Sequence, residues 1–434
     1  MSADECTAIT TRYLAAIAAA DGEGARTFTQ VYSASALAEA NAADQRRRRG
    51  LALSPVDGKI VAVKDLFDVR GETTWAGSVA LRNEPPAVAD ASCVAQLRLG
   101  GAVIIGKTNM TEFAYSGIGF NPHFGTPANP HERALVRRIP GGSSSGAAVA
   151  VADGMADIGL GTDTGGSVRI PAALCGLVGW KPTARRVSLD GVWPLAPSFD
   201  SVGVIAKCVG LCADTDAVLT GTPSAGVKIP LTSLRLGRLR GYVERDLEPA
   251  VSRAYERALD RLTEAGVAIL DASVQELERV RREHIGVTMT TYEAFRTHMG
   301  LLERFGNQYD PRVRSRLELG RNITSEYYAA AAAARAQVQH VAAQALQLFD
   351  AWLYPTVITL APPFESIESE EGYVAINRAM LRNTSLVNLL DGCAISLPCQ
   401  DRAEPPVGLS IAALGLRDTR VLAIARMLEA VICT

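Results

Sequence analysis

The chain has 434 residues, of which 48% are hydrophobic and 21% charged, a composition typical of a globular protein with a large buried core. Its 44 basic residues against 46 acidic ones give a net charge of −2, which argues against a nucleic-acid partner. The 8 cysteines and 5 histidines lack the spacing of metal ligands, and the cysteines lack the density of a disulfide framework. We therefore expect reduced thiols, no metal and no cofactor.

The N-terminal residues lack the basic start and continuous apolar core of a signal peptide, and no later apolar run is long enough to span a bilayer. A basic run, residues 46–49, follows an alanine-rich helical pattern, where cations complement the helix dipole. We predict a cytoplasmic protein with no membrane partner. A homodimer is compatible with these features.

The first predicted elements are helices over residues 8–44, followed by a strand over residues 59–69. Lys64 lies near the end of this β-branched run. A lysine at this position either reaches solvent, pairs with Asp65 or Asp68, or is buried because it has a functional role.

Residues 101–108 carry the letters of a phosphate-binding loop, after a predicted helix over residues 91–99. The apolar residues 102–105 form a strand between the two glycines, where a phosphate-binding loop needs an amide-exposing turn. We expect no nucleotide site. Residues 111–130 are rich in turn formers and aromatics, which predicts a loop lining a cleft, with Tyr115 as a substrate contact.

The second half of the chain continues to alternate between strand and helix. A β-α-β pattern covers residues 234–270, helices dominate residues 273–353, and the remaining elements are strands near residues 353–357, 393–398 and 406–411 and a helix over 421–431. This order predicts an α/β fold with a large mixed, mostly parallel β-sheet covered by helices on both faces. We expect one domain over residues 1–434, with its core at about 55–210 and a helical, substrate-facing insertion at about 273–353.

The most informative stretch is residues 140–182, which holds two glycine turns that each carry serine. The first is Gly141-Gly142-Ser143-Ser144-Ser145-Gly146 and the second is Thr162-Asp163-Thr164-Gly165-Gly166-Ser167. Glycine pairs bring backbone amides close to a ligand, so the second turn places a hydroxyl nucleophile beside oxyanion donors. The apolar segments between the turns argue against a flexible linker.

A hydroxyl nucleophile requires a base, and no histidine here has a local catalytic signature. Lysine serves if burial brings its pKa from about 10.4 toward neutrality. Lys64 is the lysine whose apolar setting suggests such a shift, and a second serine then relays the proton.

These residues resemble the amidase signature hydrolases over nearly the whole chain, from VAVKDLFDV through GAVIIGKTNMTEFA and residues 140–182 to NLLDGCAISLPC and PPVGLSI. The resemblance implies a Ser-Ser-Lys triad of Lys64, Ser143 and Ser167, with Ser143 following a cis peptide bond. It also implies acyl transfer to Ser167, with the oxyanion held by the amides of Thr164, Gly165, Gly166 and Ser167. Asp163 and Arg169 are expected to support the turn, and Gly142 to contact substrate.

Two departures from the family pattern are visible. Ala147 stands where many members carry a serine, and Asp391-Gly392-Cys393 interrupts the pattern before the late strand. Asp391 either meets a cationic or amide group of substrate or makes a loop hydrogen bond.

The predicted function is hydrolysis of a small-molecule amide to the acid and ammonia or an amine. The alternatives are a glutaminase subunit of a transfer-RNA amidotransferase, a carbamoyl- or allophanate-type hydrolase, and a non-catalytic binding protein that keeps the fold.

Overall fold

A computed structural model of the chain describes residues 5–223 and 229–433. Its helices are α1 Glu5–Ala18, α2 Gly24–Thr27, α3 Ser33–Arg48, α4 Ser92–Leu99, α5 Ser145–Ala152, α6 Arg169–Leu174, α7 Val209–Thr220, α8 Pro249–Glu264, α9 Gln275–Arg282, α10 Ile285–Phe305, α11 Pro311–Glu318, α12 Ser325–Leu346, α13 Glu370–Leu389 and α14 Asp418–Ile432. Within the same two segments, none of these helices has the length and apolarity needed to cross a membrane.

The strands form a single sheet within the described residues. They are β1 Phe28–Val31, β2 Ile60–Lys64, β3 Val103–Thr108, β4 Ile158–Thr162, β5 Val178–Lys181, β6 Val202–Ala206, β7 Arg235–Leu239, β8 Ala268–Ala272, β9 Ala351–Pro355, β10 Cys393–Pro398 and β11 Gly408–Ala413. Their order across the sheet is β1-β3-β2-β4-β6-β5-β10-β11-β9-β7-β8. The predicted large mixed sheet is confirmed.

The expectation that this sheet is mostly parallel is wrong. Only the β2–β3, β2–β4, β7–β8 and β7–β9 pairs are parallel, and the remaining six pairs are antiparallel. The segments joining β5 to β6 and β10 to β11 contain no α-helix that would cross over the sheet, so these neighbours run in opposite directions. An alternation of helix and strand patterns along the sequence does not reveal strand direction.

Strand β2 is buried on both faces, because successive side chains point to opposite sides of the sheet. Ile60 and Ala62 pack in the same apolar cluster as the alanines and valines of α5, whereas Val61 and Val63 belong to the cluster on the other face. By this alternation Lys64 points toward the α5 side.

The structure also bears on the other elements predicted from the sequence. The helical pattern over residues 8–44 also contains β1, which pairs antiparallel with β3. The residues that carry the letters of a phosphate-binding loop lie largely in β3, where the buried Lys107 ammonium faces the Asp65 carboxylate at 3.5 Å.

Helices α9 to α12 separate β8 from β9, within the predicted insertion. The single-domain assignment remains a prediction.

Candidate active site

Lys64 is the last residue of β2 and is completely buried. Its Nζ lies 2.7 Å from Ser143 Oγ and 3.0 Å from Thr162 Oγ1. Burial lowers the pKa of Lys64 from its ordinary 10.5 to about 7, and the more distant carboxylates of Asp163 and Asp200 only partly oppose this shift. At pH 7 about half of the Lys64 side chains are therefore neutral and able to accept a proton.

Ser143 lies in the first glycine turn, just before α5. The peptide bond between Gly142 and Ser143 is cis. The backbone on both sides is fixed, because Gly142 N donates to Gly117 O at 2.8 Å and Ser143 O accepts from Thr111 N at 3.1 Å. A Cβ at residue 142 would lie 2.5 Å from the Gly119 nitrogen, so only glycine fits there. This packing explains the need for Gly142, while its contact with substrate remains a prediction.

The second glycine turn is built around Asp163, a fully buried carboxylate. It accepts hydrogen bonds from Gly166 N at 2.9 Å and from the Arg169 guanidinium at 2.9 and 3.0 Å. Burial by itself raises the pKa of Asp163, but Arg169 and the neighbouring donors outweigh it and lower the pKa to about 2. A permanently ionised carboxylate thus holds the turn, as expected for Asp163 and Arg169.

Gly166 shows why the turn requires glycine. Its φ is +133°, and a Cβ there would lie 2.1 Å from Thr384 Oγ1. Thr384 Oγ1 in turn donates to Gly165 O at 2.6 Å. The turn is therefore clamped between Asp163 on one side and α13 on the other.

The two glycine turns are joined by a backbone hydrogen bond from Ser144 N to Ser167 O, 3.2 Å long. The nucleophile candidate Ser167 is 4% exposed and Ser143 is fully buried. Within residues 5–223 and 229–433, no hydrogen bond directly joins the Ser143 and Ser167 hydroxyls. The structure thus brings the turns together and links Lys64 to Ser143, while the second step of the relay remains a prediction.

The four predicted oxyanion donors are not equivalent. The amide of Gly166 already donates to Asp163, whereas in the part of the chain that the structure describes the amides of Thr164, Gly165 and Ser167 have no hydrogen-bond acceptor. Gly166 thus holds the turn together, whereas the oxyanion role of the other three amides remains a prediction.

Several supporting residues were not predicted from the sequence. Thr162 Oγ1 contacts Lys64 Nζ, Asp200 Oδ1 accepts from Thr164 Oγ1 at 2.5 Å, and Asn388 Nδ2 donates to Asp163 Oδ1 at 2.9 Å. Thr162 is the first residue of the second motif, so its position had a local signal, although its contact with Lys64 did not. Asn388 lies 225 residues from Asp163 and had none.

The structure also contains a polar cavity of about 260 Å³ whose lining does not include Lys64, Ser143 or Ser167. It is lined by Arg185, Ser198, Met289, Tyr328, Ala332, Arg335, Ala336, Gln339 and Asp391. Arg335 Nη2 donates to Asn388 O at 2.9 Å, and the Asn388 side chain binds the carboxylate that holds the glycine turn. One residue, Asn388, thus links the cavity wall to the second glycine turn.

The predicted substrate contacts fall in different places. Asp391 lines the cavity. Tyr115 is buried, with its hydroxyl donating to Thr291 Oγ1 at 3.0 Å and its ring beneath the Arg316 guanidinium. Tyr115 is not among the cavity-lining residues, and its contact with substrate remains a prediction.

Comparison with known proteins matches the family model described as Amidase to residues 8–422. The 2-amino-5-chloromuconic acid deaminase of Comamonas testosteroni is 34% identical over 414 residues, covering 92% of this chain and 87% of the relative. A glutamyl-tRNA(Gln) amidotransferase subunit of Roseiflexus sp. (strain RS-1) is 33% identical over 438 residues, covering 93% of this chain and 88% of that subunit. A solved structure described as "Crystal structure of amidase" superimposes with a TM-score of 0.86 at 33% identity, covering 98% of this chain and 96% of that one.

Proposed function

We propose that this chain, which belongs to the amidase family, releases ammonia from the carboxamide of a small carboxylate-bearing molecule through an acyl-enzyme on Ser167. It is a hydrolase that acts on amide C–N bonds, as its family and named relatives are. The proposal concerns the mechanism and the class of substrate.

The observation that carries the mechanism is the contact between Lys64 and Ser143. A buried ammonium without a carboxylate partner loses its proton readily, and the described residues place no acidic side chain within ion-pairing distance of Lys64. The hydroxyl 2.7 Å away is therefore well placed to pass a proton to the lysine.

The reaction then proceeds in two halves. Neutral Lys64 takes a proton from Ser143, Ser143 takes one from Ser167, and Ser167 Oγ attacks the amide carbonyl carbon. The relay runs backward to protonate the departing nitrogen as its bond to carbon breaks, which leaves an ester on Ser167. Water, deprotonated through the same relay, attacks that ester and releases the acid.

The negative charge on the carbonyl oxygen is stabilised by the amides of Thr164, Gly165 and Ser167. We assign the fourth predicted donor, Gly166, to the Asp163 carboxylate instead, because that hydrogen bond holds the turn in shape. Loss of one oxyanion donor typically lowers the rate by about a hundredfold to a thousandfold.

The substrate carboxylate is proposed from Arg335. This guanidinium is 8% exposed, donates only to the backbone oxygens of Ser198, Asn388 and Leu389, and has no ion-pair partner among residues 5–223 and 229–433. Burial lowers its pKa, and the nearby carboxylates of Asp391 and Glu293 only partly oppose this shift, so the cation can still take up negative charge. A carboxylate in the cavity supplies that charge, and one named relative also acts on a carboxylic acid.

The test is ammonia release from two amides that differ by one carboxylate, glutaramate and pentanamide. Wild-type protein is expected to favour glutaramate by about tenfold or more in kcat/KM. Ser167→Ala is expected to abolish activity on both, while Ser35→Ala, at an exposed serine, leaves it intact. Equal activity of Ser167→Ala and wild type contradicts the mechanism, and a preference for pentanamide contradicts the substrate class.

A second candidate is the glutaminase component of a transfer-RNA amidotransferase, favoured by the 33% identity to one such protein over 93% of this chain. A component of that kind is expected to copurify with a partner and to be nearly inactive alone. Full activity of the isolated chain on glutaramate favours the stand-alone hydrolase.

A further inference from the structure

The Asp391 carboxylate contains a polar atom that the protein leaves unsatisfied. Its Oδ1 is buried and has no hydrogen-bond partner among the described residues. Its Oδ2 accepts only a 3.4 Å contact from Arg185, whose side chain is 73% exposed. A buried acceptor without a donor costs free energy, so a carboxylate kept in this state calls for a ligand.

The turn that carries Asp391 is rigidly placed. Asp391 N donates to Asn388 O at 3.2 Å, and Gly392 N donates to Val387 O at 2.9 Å. The ammonium of the buried Lys181 donates to Gly392 O at 2.9 Å. These bonds hold the residue without using its carboxylate, whose loop hydrogen bond is the 3.4 Å contact of Oδ2 with the exposed Arg185. That contact leaves Oδ1 without a partner.

The backbone at Asp391 has a φ of +53°, where glycine is favoured. The chain therefore carries aspartate at a position where glycine would adopt the same backbone conformation with less strain. The family pattern is also interrupted at this turn, and Asp391 faces the cavity beside Arg335.

Some donors of the other polar side chains of the cavity are already used within the protein. Tyr328 donates to Glu293 at 2.7 Å, and Gln339 donates to Leu389 O at 3.0 Å. Three of the five Arg335 N–H donors reach backbone oxygens, which leaves two for the proposed substrate carboxylate. Among the residues that line the cavity, Asp391 contributes a buried oxygen, Oδ1, that has no hydrogen-bond donor within the described residues.

We propose that Asp391 is a specificity-determining residue whose Oδ1 accepts a hydrogen bond from a second nitrogen of the substrate, distinct from the nitrogen that leaves. This inference rests on the proposed function and narrows its substrate class to carboxylate-bearing amides that carry another N–H group. The group is either an ammonium or the neutral N–H of a urea or second amide, and both offer the same hydrogen to the carboxylate.

The test measures binding by calorimetry at about pH 8, in protein carrying Ser167→Ala so that no probe is turned over. Two pairs of probes are used. Allophanate and malonamate differ by a neutral N–H in place of a methylene group, and L-glutamine and glutaramate differ by an ammonium. With Asp391 present, at least one pair is expected to show about tenfold to hundredfold tighter binding of its nitrogen-bearing member.

Three variants give this comparison its controls. Asp391→Gly removes the carboxylate and relieves the backbone, and it is expected to bring the ratio within the preferred pair close to one. Asp391→Asn keeps a neutral acceptor, so a preference for allophanate is expected to persist in weakened form while a preference for L-glutamine is lost. Asp246→Gly is the matched control, because Asp246 also has a left-handed backbone, at φ +52°, but its side chain is 89% exposed.

A ratio that is unchanged by Asp391→Gly overturns the inference, as does failure of all four probes to bind folded protein. The proposed function fails separately. If wild-type protein releases no ammonia from any amide but still binds the probes in an Asp391-dependent manner, the hydrolytic mechanism is wrong and the recognition site stands.

Discussion

Replacing Lys64 by methionine tests the protonation state on which the mechanism depends, without relying on any substrate. Methionine has a similar length and no charge. The pKa of Lys64 falls from its ordinary 10.5, which applies to the unfolded chain, to about 7 in the folded protein. Below about pH 7 both states carry the proton, and the folded state bears the full cost of burying the charge. Between about pH 7 and pH 10.5, Lys64 has lost its proton in the folded protein but keeps it in the unfolded chain. The cost of burying the charge therefore declines as the pH rises through this range.

The size of the effect follows from these two values. One pKa unit corresponds to about 1.36 kcal/mol. Integrating the proton difference from about pH 9 to about pH 6 gives a loss of roughly 3 kcal/mol in the free energy of unfolding of wild-type protein. Lys64→Met does not have this loss, so its free energy of unfolding relative to wild type is expected to rise by roughly 3 kcal/mol as the pH is lowered from about 9 to about 6.

The assay is urea unfolding of both proteins at about pH 6 and about pH 9, followed by tryptophan fluorescence. Using the change between pH values removes the separate effect of losing the contacts with Ser143 and Thr162. Lys207→Met, at an exposed lysine, controls for the loss of a positive charge. A difference between Lys64→Met and wild type that stays constant with pH refutes the reasoning, because Lys64 then keeps its proton throughout.

Three further predictions concern activity. Because only neutral Lys64 accepts a proton, kcat/KM on glutaramate is expected to rise with pH through about 7 and then level off. A kcat/KM that does not change with pH across that range contradicts the assignment of Lys64 as the base. Ser143→Ala is expected to lower kcat by about a hundredfold to ten-thousandfold. Ser145→Ala removes a buried hydroxyl without a partner and is expected to leave kcat nearly unchanged. Equal losses of kcat in the two variants would point to an effect on packing instead. Arg335→Met is expected to lower kcat/KM on glutaramate by about tenfold or more with little change on pentanamide, and a parallel fall on both argues for a purely structural arginine.

The parts of the site that the sequence predicted well are those with local causes. Glycine pairs beside serines require unusual backbone geometry, and the structure shows it at Gly142 and Gly166. A lysine at the end of a β-branched run suggested burial, and Lys64 is buried. Each conclusion needed only a few neighbouring residues.

The remaining features depend on contacts between distant segments. Thr384 and Asn388 hold the second glycine turn from α13, more than 200 residues away. Helical periodicity marks such residues as buried but does not identify the element they contact. The cavity beside Arg335 and the direction of the strands depend on the same long-range packing, which explains why the sheet was expected to be more parallel than it is.

The most direct test of the central claim is covalent labelling by a fluorophosphonate, read by mass spectrometry of the digested protein. We expect a single adduct at Ser167, formed faster as the pH rises through about 7. It is expected to be absent in Ser167→Ala, strongly reduced in Lys64→Met and retained in Ser145→Ala. An adduct at another residue, or none on folded protein, contradicts the assignment of Ser167 as the nucleophile activated by Lys64.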